Sequence, residues 1–198
     1  LSHLLSGLLP VAFLSGCAAL LPGGGVPALD TYELAAPVPK VAAPRRSSTQ
    51  ILIAEPTALK VLDAQNIVVK TAPGSIEYLK GAQWADRLPR VVQARLAESF
   101  QNSGRFGGVG KPGEGLAIDY QIVTEIRAFE IRVGGGGRAH IELFVKVLND
   151  RNGIVRASRA FTTNAPVGGG GNEAFIVALD AAFAAAATEI VAWASSVM

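Results

Sequence analysis

Few side chains in this 198-residue chain could carry chemistry, and they are far apart. Cys17 is the one cysteine, and the two histidines are His3 and His140. A single thiol closes no disulfide within the chain. One cysteine and two distant histidines also fall short of a metal-ligand set. What a thiol can do alone is offer a nucleophilic sulfur to a covalent group. His140 stands at the start of a predicted strand and reads as an exposed or edge-strand residue, not a catalytic base. Asp63, Asp86 and Glu98 have no partner at fixed spacing, so they read as solvated acids rather than an acid–base pair. The run Gly104 to Gly115 is glycine-rich but fails the G-x-x-x-x-G-K-[ST] spacing, with Pro112 where the hydroxyl should stand. It reads as a surface loop. No G-x-S-x-G elbow occurs. The residue types argue against an enzyme.

The surroundings of Cys17 suggest what its sulfur is for. Leu4 to Leu14 is almost wholly apolar and is followed by the small residues Ser15 and Gly16. That pattern is the h-region and cleavage site of an export signal, too short for a permanent membrane span. Leu14-Ser15-Gly16-Cys17 resembles the lipobox of bacterial lipoproteins. The resemblance implies that the Cys17 sulfur receives a diacylglyceryl group. The signal is then cut between Gly16 and Cys17, and the new amino group takes an N-acyl chain. No cofactor is expected beyond these covalent lipids. Small side chains let the backbone enter a peptidase, and only a thiol offers the required sulfur. Ala18 follows instead of Asp, which resembles the outer-membrane sorting class of Gram-negative lipoproteins and implies a domain on the periplasmic face. Each buried CH2 contributes about 0.8 kcal/mol, so several acyl chains anchor stably.

Composition bounds the rest. Hydrophobic residues make up 49% and charged residues 17%, which supports a buried core. The net charge is only +2, so nothing suggests a nucleic-acid partner. Residues 1–16 read as the signal, 17–28 as a lipidated tether and 29–198 as the domain. Pro22, Gly23, Gly24, Gly25 and Pro27 break any apolar period in the tether. Fully extended, residues 18 to 28 would reach about 36 Å, taking ~3.3 Å per residue.

Within the domain, Asp30 to Ala36 suggests an early strand returning to the domain edge. Gln50 to Pro56 is an aliphatic strand. Asn66 to Thr71 and Ser75 to Lys80 flank Ala72-Pro73-Gly74, a turn signal predicting a hairpin. Ile118, Tyr120, Ile122, Thr124 and Ile126 alternate, and the parity changes at Phe129, Ile131 and Val133, predicting a bulge near Arg127-Ala128. Two further strands follow around the turn Asn149 to Gly153, completing a meander. Trp84, Leu88, Val92, Leu96 and Phe100 recur every four residues, an apolar helix stripe. A helix interior rejects Pro89, so a short turn over 84–88 is expected with Pro89 at the first position of the main helix, closed by Gly104. The last helix follows Gly168 to Gly171, with Asn172 as the expected cap. Ile176, Leu179, Phe183, Ala186, Ile190, Trp193 and Val197 form its apolar arc; Asp180, Thr188, Glu189, Ser195 and Ser196 fall opposite. It reads as amphipathic rather than transmembrane, since an aspartate in lipid costs about 2.5–3.5 kcal/mol. The order β-β-β-α-β-β-β-α predicts an α+β domain: a largely antiparallel sheet with two helices packed on one face.

This sequence of features resembles the ABC-type transport auxiliary lipoprotein family, the PqiC-like proteins. The resemblance rests on the lipobox, Tyr32-Glu33-Leu34, the strand Ile51 to Pro56 with Leu59, and Leu62-Asp63 before Ile67-Val68-Val69. Tyr78 followed by Trp84-Ala85-Asp86, three strands and an Ala-rich C-terminal helix complete it. It covers roughly Asp30 to the C-terminus, and Ala64 stands where the family more often has arginine. It implies an outer-membrane lipoprotein that accompanies an MCE-domain protein and its ABC transporter, a system that moves lipid between the two membranes and helps maintain envelope integrity. It carries over no catalytic residue. Two other classes stay open: an envelope-assembly or structural lipoprotein contacting barrel assembly or peptidoglycan, and a small lipid-binding module. The oligomeric state also stays open, a homo-oligomer included.

Overall fold

The computed structural model describes residues 28–40, 42 and 45–198. Its centre is an antiparallel meander of three long strands, β7 (Tyr120–Arg132), β8 (Arg138–Asn149) and β9 (Val155–Pro166). Strict alternation builds it. Ile122, Ile126, Ile141, Leu143, Val145 and Val147 point to one face and are at most 1% exposed. The pairing shifts between Ile126 and Ala128, so the expected bulge is present and keeps Phe129 and Ile131 on the buried face.

The remaining strands attach to the free side of β7, mostly in parallel. They are β1 (Asp30–Tyr32), β2 (Arg46–Ile53), β3 (Thr57–Ala58), β4 (Asn66–Lys70), β5 (Glu77–Trp84) and β6 (Phe106–Gly110). β2, β3 and β4 each lie parallel to a successive portion of β7. β4 and β5 form the expected antiparallel hairpin, and β1 returns to the sheet edge beside β5. The long ladders make the sheet largely antiparallel, while its N-terminal half adds parallel pairs.

One segment differs from expectation. Within the glycine-rich run, residues 106–110 are not loop but β6, paired with β2. Glycine is required there by close approach: a Cβ on Gly107 would meet the Ser47 carbonyl oxygen at 2.1 Å. Pairing with β2, not local preference, makes this segment a strand.

Two helices, among the described residues, pack on one face of the sheet: α1 (Leu88–Asn102) and α2 (Gly171–Val197). Pro89 sits in the first turn of α1, one residue after Leu88, and the Gly104 N–H closes the far end on the Gln101 carbonyl at 3.0 Å. Trp84 is not part of a helical turn. It ends β5, yet it is buried and meets Phe129 edge-on at 5.7 Å. Phe129 in turn lies 6.3 Å from Phe183 of α2, so one aromatic chain joins β5, β7 and α2.

α2 is long and apolar enough to cross a membrane by length and composition, but half of its most apolar window is buried within the protein. Ile176, Leu179, Phe183, Ala186 and Ile190 are buried as expected. Ser195 is not on an exposed face. It is fully buried, its hydroxyl donating to the Val191 carbonyl at 2.7 Å. The alanines at 178, 182, 186, 187 and 194 are also buried, so the contact face is broader than one apolar arc. Asn172 does not cap α2; Gly170 does, and Asn172 Nδ2 instead donates to the Lys80 carbonyl at 2.9 Å.

The segment after β1 straps the two helices. Leu34 is buried, Glu33 pairs with Arg95 of α1, and the Ala35 N–H donates to Asp180 Oδ1 of α2 at 2.6 Å.

Candidate functional site

Gly16 and Cys17, the expected cleavage and lipidation residues, lie outside the described residues, as do the expected signal and nearly all of the expected tether. The chemistry that can be placed lies in the domain.

His140 is neither exposed nor on an edge strand. It lies on β8, between β7 and β9, and is 8% exposed. Its Nδ1 is 2.9 Å from Asn164 Oδ1, and its direct neighbour on β7 is Glu130. The imidazole is thus a satisfied member of a polar row on the sheet face turned away from the helices.

The three acids expected to stand alone are paired. Arg87 Nε donates to Asp63 Oδ1 at 2.7 Å, and the same guanidinium reaches Glu55 at 3.2 Å. Hydrogen bonding to Asp63 raises the Arg87 pKa above its ordinary value, with the charges of Asp63 and Glu55 adding to it and burial opposing. Asp86 lies 3.5 Å from Arg90, and Glu98 2.8 Å from Arg95. These pairs join loops to α1 and consecutive turns of α1. Their carboxylates are half-exposed and bound to guanidinium groups, a structural arrangement rather than an acid–base couple. Among the described residues, no group of three His, Cys, Asp or Glu side chains could hold a metal ion.

The sheet face away from the helices carries a second set of ion pairs. Arg127 contacts Glu125 at 3.3 Å and Glu142 at 3.7 Å, and its guanidinium lies 4.2 Å over the Phe144 ring. Three residues along the strand, Glu130 is 3% exposed and holds Lys70 at 3.1 Å and Arg132 at 2.8 Å. These residues were not singled out by sequence pattern. Their signal was their parity, since past the bulge Glu130 and Arg132 alternate with the buried Phe129 and Ile131. The arrangement is a row of paired charges on a sheet face.

The family described as ABC-type transport auxiliary lipoprotein component matches residues 32–191. A relative from Bradyrhizobium diazoefficiens, uncharacterized protein bll6063, is 36% identical over 175 residues, which is 86% of this chain. The chain spans 46% of that relative's length. The crystal structure of protein XCC0632 from Xanthomonas campestris, of family DUF330, has a TM-score of 0.77 at 29% identity, covering 84% of this chain and 95% of that one. A PelC dodecamer from Paraburkholderia phytofirmans has a TM-score of 0.50 at 11% identity, covering 77% and 93%, a likeness of fold alone. With the matched region running from β1 into α2, the chain belongs to the ABC-type transport auxiliary lipoprotein component family.

Proposed function

We propose that this protein is a non-catalytic, lipid-anchored auxiliary component of an MCE-type ABC system that moves lipid between the inner and outer membranes. Cys17 carries the acyl chains in this reading, and the domain faces the periplasm from the outer membrane. The match to the auxiliary lipoprotein family over residues 32–191 is the observation that carries it. The domain's chemistry supports it as well: Asp86 and Glu98 are bound to arginines of α1, and His140 is bound to Asn164. Such a domain contributes by holding partners and ligands in place.

Deletion in the native host tests the reading. Loss of the protein should sensitise cells to detergents and membrane-active compounds, and the full chain should restore resistance. A deletion strain with normal resistance and normal lipid distribution between its membranes would contradict it.

A further inference from the structure

One end of the sheet gathers positive charge in a way that packing does not explain. Lys70 on β4 is in direct register with Arg132 on β7, and Arg132 is in direct register with Arg138 on β8. Register partners share a sheet face, so three cations stand side by side across three strands. Like charges directly opposite one another destabilise a sheet. Glu130, one row away on the same face, answers two of them through its two carboxylate oxygens. Arg138 is exposed and has no ion-pair partner among the described residues. With Glu130 counted, the cluster keeps an excess of positive charge.

These cations line an open groove of about 390 Å³. The β4–β5 turn, Ala72-Pro73-Gly74, forms one wall and Gly134 contributes to the other. Gly74 takes a φ of 78°, a left-handed backbone conformation that glycine adopts without strain and that turns the chain back there. The volume suits a headgroup rather than acyl chains. Guanidinium groups match phosphate oxygens in geometry as well as charge, and an ammonium adds a point charge. Glu130 also has a positioning role: buried beneath Lys70 and Arg132, it fixes two cations and leaves Arg138 for the ligand.

We propose that Lys70, Arg132 and Arg138 form a binding site for a phosphate group carried on a phospholipid headgroup. The affinity for phosphate follows from the groove itself; the assignment to a lipid rests on the transport reading above.

Calorimetric titration of the full chain in neutral-detergent micelles, at constant ionic strength, tests both parts. Inorganic phosphate is one probe, and phosphatidylglycerol added to the micelles is the other. Saturable phosphatidylglycerol binding is expected, at least tenfold tighter than inorganic phosphate. Arg138→Gln should weaken it at least tenfold, and Lys60→Gln, an exposed cation away from the groove, should leave it unchanged. Equal affinity for the two probes, still lost in Arg138→Gln, would keep the phosphate site and overturn the lipid assignment. Absence of saturable binding, or equal weakening by Arg138→Gln and Lys60→Gln, would overturn the site. None of these outcomes depends on whether a transporter is recovered as partner.

Discussion

Asp119 and Gln50, 69 residues apart, clasp each other in both directions. The Gln50 N–H donates to Asp119 Oδ2 at 3.0 Å, and the Asp119 N–H donates to the Gln50 carbonyl at 2.9 Å. This clasp sits where β2 meets the start of β7 and fixes their parallel register. The Gln50 N–H holds the Asp119 carboxyl below its ordinary pKa, helped by Arg151 Nη2 at 2.8 Å and opposed by burial. A depressed folded-state pKa adds stability at neutral pH, and that stability is lost as pH falls through the folded value. Asp119→Asn should therefore lower the melting temperature at pH 7. The gap from wild type should close as pH drops below about 3.9, the unfolded carboxylate value. A gap that stays constant down to pH 2 would show that the charge contributes nothing.

Phe183 is fully buried beside Phe129, while Thr188 is half-buried with its hydroxyl turned back to the Ala184 carbonyl at 2.8 Å. Phe183→Ala should cost about 3–5 kcal/mol, a large share of a domain's stability. Thr188→Ala should stay within about 0.5 kcal/mol, the range of changes away from the core. Denaturant unfolding of the two variants checks this, and equal midpoints would contradict the placement of α2.

Thr124 lies on the core face of β7, 1% exposed, and its Oγ1 has no hydrogen-bond partner among the described residues. A buried unpaired hydroxyl carries a desolvation penalty of about 1–3 kcal/mol. Thr124→Val keeps the shape and removes the penalty. It should raise the melting temperature by about 2–4 °C for each kcal/mol recovered. A lower melting temperature would mean the hydroxyl is used.

The meander was legible because β7, β8 and β9 alternate over long stretches, and even the bulge at 126–128 showed as a change of parity. β6 was not, because Phe106-Gly-Gly-Val-Gly has no strand pattern of its own and is made extended by pairing with β2. Ser195 was misplaced because a broad, Ala-rich contact face buries more of α2 than its large apolar residues outline. The ion pairs of Asp63 with Arg87 and Glu33 with Arg95 join residues 24 and 62 positions apart, beyond any local spacing rule. The same holds for the Lys70–Arg132–Arg138 row. Each residue is unremarkable in sequence, and only strand register assembles them.

On the lipoprotein reading, Cys17 is the sole acceptor for the diacylglyceryl group. Metabolic labelling with a fatty-acid probe should mark the wild-type protein and leave Cys17→Ala unlabelled, uncut and off the outer membrane. Undiminished label in the variant would remove Cys17 as the anchor.

On the proposed function, this domain works by docking on a lipid-transport system. Cross-linking in intact cells, followed by affinity capture of the full-length lipidated protein and mass spectrometry, tests it most directly. An MCE-domain protein should be recovered together with its permease or ATPase. Recovery of only barrel-assembly components, or of peptidoglycan fragments without any transporter subunit, would contradict it.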